Sequence, residues 1–130
     1  CCDSLTGITL PEGLTSIGKF AFERCSSLTS ITLPEGLISI GYSAFCNCDS
    51  LTSITLPEGL TSIGDFVFDS CSSLTSITLP ESVTSIGEGA FDSCPEDMLF
   101  TVVRDSWAAK WCKENGLNYT YTDSLDWLND

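Results

Sequence analysis

Nearly the same segment recurs every 23 residues along most of this chain, and that period constrains the fold more than any other feature of the sequence. The segment Ser-Leu-Thr-Ser-Ile-Thr-Leu-Pro-Glu-Gly-Leu-Thr-Ser-Ile-Gly starts at Ser50, and close copies start at Ser4, Ser27 and Ser73. A repeat of this length is typical of a solenoid, in which each copy forms one coil and buries its apolar residues against the next coil. Four stacked copies meet the requirement for about three or more coils.

The first half of each repeat has the pattern Leu-x-x-Ile-x-Leu-Pro, which predicts a short strand. Its last two apolar residues are two positions apart, as on one face of a strand, and the proline donates no N–H to a ladder. In the first three copies a glycine two residues later favours a tight corner. The apolar columns contain Leu5, Leu28, Leu51 and Leu74; Ile8, Ile31, Ile54 and Ile77; and Leu10, Leu33, Leu56 and Leu79.

The second half of each repeat carries Leu-x-x-Ile-Gly or Val-x-x-Ile-Gly, then Ala-Phe or Val-Phe and a cysteine, and we expect it to form the return side of the coil. Stacking would place each phenylalanine and each cysteine about 4.7 to 4.9 Å from its copy, in inward columns. The columns contain Phe22, Phe45, Phe68 and Phe91, and Cys2, Cys25, Cys48, Cys71 and Cys94.

The cysteine column predicts buried thiols, because a small apolar residue suits this position. The spacing alone also permits disulfides. Cys1 and Cys46 lie outside the column, and we expect these two to be the more exposed thiols.

These residues resemble the BspA-like leucine-rich repeats of bacterial and some protozoan surface proteins. The shared pattern is Cys-x-x-Leu-x-x-Ile-x-Leu-Pro-x-x-Leu-x-x-Ile-Gly-x-x-Ala-Phe-x-x-Cys, and it covers nearly all of Cys2 to Cys94. The resemblance implies a right-handed leucine-rich repeat solenoid of the α/β horseshoe class, rich in β structure. It also implies a secreted or cell-surface location and adhesion to matrix proteins or other cells. The matching residues are scaffold positions, so they identify no ligand.

The 23-residue register divides the chain into two parts. Residues 1–94 form the repeats, and residues 95–130 form a C-terminal capping unit with an acidic tail. The segment from Met98 to Val103 is predicted to form a last strand across the open end of the stack. The segment from Asn118 to Tyr121 is predicted to form a closing strand. We expect the tail from Thr122 to fold back on the cap or to contact a partner.

One short helix is predicted inside the capping unit. Asp105 or Ser106 would begin it, and Gly116 would end it just after Asn115. Helical spacing places four residues on one face as the expected core of the cap. They are Trp107, Ala108, Trp111 and Cys112.

The composition argues against catalysis and against a metal site. The chain has no histidine and no Cys-x-x-Cys, and no carboxylate pair or serine–lysine pair stands out as a catalytic group. One glutamate per repeat does not bring the six to eight oxygens that calcium prefers to one point. Exposed serine and threonine columns resemble those of ice-binding solenoids, but the strand preference of threonine explains them more simply. We expect no enzyme activity, cofactor or metal ion.

The charge limits the classes of partner. With 18 acidic and 5 basic residues, the formal net charge is -13, which repels nucleic acid and anionic membranes. No run approaches the roughly 20 apolar residues that span a bilayer, so we expect no membrane insertion. The given sequence begins in the middle of a repeat. We therefore expect the natural start of the protein, with any signal segment, to lie upstream. An apolar coil face there would permit end-to-end self-association.

The positions that differ among the four copies lie together on the return side. A ligand recognised by individual residues would contact this variable edge, because the strand face is nearly the same in every copy. An exposed aromatic patch there would favour a binding module for a protein or glycan on host or neighbouring cells, whereas complete burial would favour a structural spacer. The candidate binding residues are Lys19, Phe20, Glu23, Arg24, Tyr42, Asn47, Asp65 and Phe66.

Overall fold

The computed structural model describes residues 4–122 as a solenoid of about five turns with one helix near its end. Two parallel ladders run along the solenoid, and most coils contribute to both. Within the repeats, each paired residue lies 23 positions from its partner, so the sequence period sets the register.

The first ladder contains the strands that the Leu-x-x-Ile-x-Leu pattern predicts. Its strands are β1 (Gly7–Thr9), β3 (Ser30–Thr32), β6 (Ser76–Leu79), β8 (Leu99–Val102) and β9 (Tyr119–Tyr121). In the third coil the ladder narrows to single bridges from Thr55 to Thr32 and to Thr78. β8 pairs with both β6 and β9, so this ladder continues beyond the last full repeat.

The second ladder follows the proline corner, where the sequence predicted no strand. It consists of β2 (Ser16–Ile17), β4 (Ser39–Ile40), β5 (Ser62–Ile63) and β7 (Ser85–Ile86), paired in that order. Each strand has two residues, which is too short for an alternating pattern to reveal it. Ile40 and Ile63 are buried, so the ladder adds an apolar column to the core as well as backbone pairing.

The phenylalanine column forms a continuous stack through the core, as predicted. The ring centroids are 5.4 Å apart for Phe22 and Phe45, 5.7 Å for Phe45 and Phe68, and 5.3 Å for Phe68 and Phe91, with rings within 16° of parallel. At the end of the stack, Phe100 meets Phe91 edge-on at 5.0 Å. Both faces of each inner ring are covered by neighbouring coils, so one coil alone cannot bury its phenylalanine.

The described cysteines of the predicted column are buried or half-buried thiols, and three of them donate hydrogen bonds between coils. Cys2 lies outside the described residues. The Cys71 thiol donates to the carbonyl oxygen of Phe45 at 3.2 Å, and the thiols of Cys48 and Cys94 make the equivalent bond to Phe22 and Phe68. Burial raises the pKa of Cys48 to about 12 and that of Cys94 to about 11. These thiols therefore remain protonated donors at neutral pH.

The prediction that Cys46 is exposed is wrong, since only 9% of its surface is accessible. The residues at the equivalent position of the first and third coils, Glu23 and Asp69, are half-buried as well. The Asn47 amide donates to the Cys46 sulfur at 3.3 Å and covers it further. Cys1 lies outside the described residues.

The helix of the capping unit forms where the sequence predicts it. Helix α1 (Trp107–Glu114) begins after Ser106, whose hydroxyl accepts the Ala109 N–H at 3.1 Å. Gly116 follows the helix with a φ of 65°, as a left-handed stop requires. The predicted last strand and closing strand are β8 and β9.

The prediction that Trp107 belongs to the cap core is wrong, because 39% of this side chain is exposed. The buried stripe of the helix is centred on Ala108, Ala109 and Cys112, which leaves Trp107 at its margin. Trp111 is half-buried against Phe91 and Phe100. Of the predicted acidic tail, residues 123–130 lie outside the described residues.

Candidate binding surface on the return side

The return segment of each coil connects the second ladder to the cysteine column, and it comprises residues 18–25, 41–48, 64–71 and 87–94. Its backbone N–H groups alternate between two kinds of acceptor. Phe20 donates to the carbonyl oxygen of Tyr42 in the next coil at 2.9 Å, whereas Ala21 donates within its own turn to Gly18 at 3.3 Å. Alternate N–H groups of the second and third coils also donate to the next coil. The return segments therefore hold neighbouring coils together.

Two residues in each return segment have a left-handed backbone. The first set has φ between 53° and 64° and contains Phe20, Ser43, Phe66 and Gly89. The second set has φ between 59° and 62° and contains Arg24, Asn47, Ser70 and Ser93. Glycine adopts this conformation without strain, whereas other residues pay on the order of 1–3 kcal/mol. Phe20 and Phe66 thus occupy positions where glycine would relieve strain, as it does in the fourth coil.

Three aromatic side chains form a continuous row on this surface, which we call the aromatic ridge: Phe20, Tyr42 and Phe66. The ring centroids are 5.3 Å apart for Phe20 and Tyr42 and 5.9 Å apart for Tyr42 and Phe66, with interplanar angles of 88° and 89°. Such edge-to-face contacts fix the rings relative to one another. The exposed fraction is 48% for Phe20 and 43% for Tyr42, so the ridge presents two adjacent aromatic rings to solvent.

The ridge crosses three coils because the second coil uses a different position from its neighbours. There the tyrosine precedes the left-handed residue, and that residue is the buried Ser43. In the third coil the Phe66 ring is half-buried over Gly89, where an added Cβ would collide with the ring. Gly89 therefore leaves the space in which Phe66 lies.

Charged side chains at the two ends of the ridge have opposite signs. Lys19 and Arg24 are exposed in the first coil. Asp65 and Glu88 are exposed in the third and fourth coils, and the Asp65 carboxylate accepts the Glu88 backbone N–H at 2.9 Å. A partner with the reverse charge order would gain electrostatic complementarity along this surface.

The candidate residues divide into two groups in the structure. The ridge residues are neighbours, and Lys19 and Asp65 lie on either side of Tyr42 in its column. Glu23, Arg24 and Asn47 lie four or five positions further along the return segment, and Glu23 and Asn47 are half-buried. We therefore centre the candidate surface on the first group.

The sequence analysis missed the left-handed positions. Glycine and asparagine adopt a left-handed backbone more readily than other residues. Gly89 at the first position and Asn47 at the second could therefore have indicated both positions from the sequence. Comparing columns for such residues would have identified both positions. The aromatic residues in the first column would then have been recognised as strained.

Other kinds of site are not supported by the described part of the chain. Among residues 4–122, no group of three or more cysteine, aspartate and glutamate side chains is placed to hold a metal ion. No helix in that range is long and apolar enough to cross a membrane.

Comparison with protein families identifies the repeat. The family model described as the BspA type leucine rich repeat region, with 6 copies, matches residues 1–103. The chain belongs to the BspA-type leucine-rich repeat family. The matched range includes β8, which the sequence analysis assigned to the capping unit. Leucine-rich repeat proteins typically serve as non-catalytic protein-interaction scaffolds.

Solved structures of bacterial leucine-rich repeat proteins share the BspA-type fold of this chain. A protein from Bacteroides ovatus has 30% identity and a TM-score of 0.79, and the match covers 94% of this chain and 31% of that protein. A protein from Bacteroides capillosus has 31% identity and a TM-score of 0.68 over 76% of this chain and 78% of that one.

A third structure is described as a leucine rich cell surface protein from Faecalibacterium prausnitzii. It has 29% identity and a TM-score of 0.55, with 95% of this chain and 34% of that protein covered. The BspA-type chain thus spans about a third of the Bacteroides ovatus and Faecalibacterium proteins. A comparison with curated protein sequences finds no significant match.

Proposed function

We propose that this BspA-type chain is the binding module of a secreted or cell-surface protein, and that the aromatic ridge is its ligand-contact surface. One observation carries the proposal: Phe20 and Tyr42 are about half exposed in a contiguous aromatic row. Large exposed apolar patches on soluble proteins mark interaction sites, and aromatic residues supply much of the binding energy at interfaces.

The backbone strain at the ridge supports the same proposal. The Phe20 ring adds little to the core because it is half exposed, and its left-handed backbone is unfavourable for an aromatic residue. Glycine would relieve this strain, and the exposed Phe20 ring gives little core packing in return. Strained residues with exposed side chains are characteristic of binding sites.

The proposed ligand is a protein or a glycan on host or neighbouring cells. Aromatic faces contact apolar side chains or sugar rings, and the flanking charges of both signs would fix the orientation of the ligand. The cell-surface description of the Faecalibacterium protein supports a surface location. The spacer alternative predicted a buried ridge, and the observed exposure weighs against it.

Binding of the chain to immobilised extracellular matrix proteins and to a glycan array tests the proposal. The ridge variant carries Phe20→Gly and Tyr42→Ser. The matched control is Ile38→Thr, which removes another exposed apolar side chain, 51% accessible, and restores the residue of the other three coils. We expect saturable binding to at least one ligand, an affinity loss of tenfold or more in the ridge variant, and no loss in the control.

A charge-reversed variant, Lys19→Glu with Arg24→Glu, measures the electrostatic contribution. We expect slower association and an altered salt dependence, because flanking charges act mainly on the encounter rate. Equal binding by the wild type and the ridge variant would contradict the proposal. Absence of binding across both panels by a folded chain would favour the spacer.

A further inference from the structure

The two sides of the solenoid end differently. The first ladder continues past the fourth repeat through β8 and β9. The return side stops at residues 87–94, and the capping helix does not continue it. Among the described residues, the strand ladder therefore continues for two strands beyond the fourth coil, whereas the return side ends at that coil.

Within residues 4–122, three backbone N–H groups at this edge lack the acceptors that their copies have. In the third coil, the N–H groups of Phe66, Phe68 and Ser70 donate to carbonyl oxygens of the fourth coil at 2.7 to 3.0 Å. The equivalent donors of the fourth coil make no such bond within residues 4–122. They are Gly89, Phe91 and Ser93.

One backbone acceptor beside them also has no partner in the described part of the chain. The carbonyl oxygen of Ile63 accepts the Gly87 N–H at 2.8 Å, and its copy in the fourth coil is the carbonyl oxygen of Ile86. Ile86 accepts no equivalent bond within the described chain. Each earlier coil pairs with the next return segment in the same way. One isoleucine carbonyl oxygen accepts a hydrogen bond, and the N–H groups of three later residues, two positions apart, donate.

A groove lies over this edge, and we call it the return-end groove. Its volume is about 450 Å³, within the range of ligand sites. Phe91, Trp111 and Leu117 form its apolar wall, and Glu88 and Asp92 place carboxylates along it. None of the described residues that line it is a lysine or an arginine.

We propose that the return-end groove binds a basic peptide segment of a partner protein, in the turn-containing conformation of a further return segment. The peptide backbone supplies carbonyl oxygens to Gly89, Phe91 and Ser93 and an N–H to Ile86, as a further return segment would. Its apolar side chains pack against Trp111 and Leu117, and its cationic side chains pair with Glu88 and Asp92. The groove adjoins the third-coil end of the aromatic ridge, because Phe66 packs over Gly89. The proposed backbone pairing uses none of the ridge side chains, so it does not rest on the ridge as a binding surface.

Charge and spacing favour a basic peptide over a small anion. Exposed backbone N–H groups attract anions in general. Here Glu88 and Asp92 oppose a negative ligand, as does the net charge of -13. The donors also lie two residues apart from one another, which matches alternate carbonyls of a chain and not one compact anion.

The probe is the synthetic peptide Gly-Lys-Phe-Ala-Phe-Lys-Arg. It reproduces residues 18–24, with lysine in place of Glu23, because that segment has the backbone pattern of a return segment. The control peptide replaces each cation with glutamate. Both are titrated into the full chain labelled with ¹⁵N, and backbone chemical shifts and amide exchange rates are recorded.

We expect saturable shifts at residues around the groove and at least tenfold slower exchange of the Phe91 and Ser93 amides with the basic peptide. Exchange at Phe45, whose N–H is already bonded at 3.0 Å, should not change. Shifts without slower exchange at Phe91 and Ser93 would overturn the proposed backbone pairing. Saturation by the acidic control peptide would overturn the charge argument.

A matched pair of variants checks the location. Asp92→Asn removes a carboxylate of the groove, and Asp69→Asn makes the same change one coil earlier, where the return edge is paired. We expect the first to weaken peptide binding at least threefold and the second to leave it unchanged. Equal effects would place the peptide elsewhere. Concentration-dependent shifts of the Phe91 amide without peptide would identify a second copy as the occupant and overturn the proposal.

Discussion

The strand side and the return side of this solenoid use the same 23-residue period for different purposes. On the strand side, the Ser-Ile-Thr segments are nearly identical, their hydroxyl side chains are mostly exposed, and the ladder continues into the cap. On the return side, the backbone is equally regular, but the exposed side chains change from coil to coil.

This difference separates the residues that hold the coils together from those that distinguish one coil from the next. Backbone hydrogen bonds on the return side repeat whatever side chain is present, so side chains there can vary without loss of the fold. The inner columns have no such freedom, because each phenylalanine must match its neighbours. We therefore expect inward substitutions to change stability and return-side substitutions to change binding.

The largest effect should come from the phenylalanine stack. Phe45→Ala removes a fully buried ring that contacts Phe22 and Phe68, and we expect it to lower the free energy of unfolding by about 3–5 kcal/mol. Urea denaturation followed by circular dichroism measures this loss. A loss below about 1 kcal/mol would show that the stack is not the main source of stability.

A smaller effect should appear at alkaline pH through the thiol column. Folding raises the pKa of Cys48 to about 12 and that of Cys94 to about 11, from an ordinary value of 9.0. Below about pH 9 the thiols are neutral in both states, so their contribution to stability is complete. As the pH rises from 9 toward 11–12, only the unfolded thiols ionise at first, and stability falls. Urea denaturation at pH 8 and pH 10.5 in the presence of a reductant measures the change.

The control for the pH experiment is the triple variant Cys48→Ala, Cys71→Ala and Cys94→Ala. It should be less stable at neutral pH, because the carbonyl oxygens of three phenylalanines lose their donors. Its stability should then depend less on alkaline pH than that of the wild type. The same pH dependence in both proteins would assign the effect to other groups, such as the tyrosines.

The smallest change in stability is expected at the ridge. Phe66→Gly loses an edge-to-face contact with Tyr42, but it relieves a left-handed backbone, and each effect is on the order of 1 kcal/mol. The two should nearly cancel, which gives a net change within about 1 kcal/mol. The neighbouring Phe68→Ala is the control, with an expected loss of about 3–5 kcal/mol because its ring is fully buried. Similar losses of unfolding free energy in the two variants would contradict the distinction between the exposed ridge and the buried phenylalanine stack.

Much of the fold follows from the sequence, because the period determines which residues stack. The phenylalanine stack and the thiol column were predicted from spacing and residue type, and Ser106 is one of the two caps that the sequence offered, with Asp105. The second ladder was not, because its two-residue strands are too short to show alternation. Trp107 was misplaced because the four-residue face predicted for the helix was wider than its buried stripe.

The candidate surface was located by variation among the copies, but its geometry depended on the backbone. Spacing alone did not show that Tyr42 would lie between Phe20 and Phe66, since they occupy different columns. The open donors at Gly89, Phe91 and Ser93 were also hidden, because every coil has the same pattern and only the neighbouring coil decides whether a donor is paired.

Nuclear magnetic resonance mapping of the strongest ligand from the matrix and glycan panels tests the division between the two sides most directly. The full chain is labelled with ¹⁵N, and amide shifts are followed during titration. The account predicts that the largest shifts occur at Lys19, Phe20, Tyr42 and Phe66, with the strand face unaffected. Shifts confined to the strand-face residues Ser53, Thr55, Ser76 and Thr78 would contradict it, and would place recognition on the regular side of the solenoid.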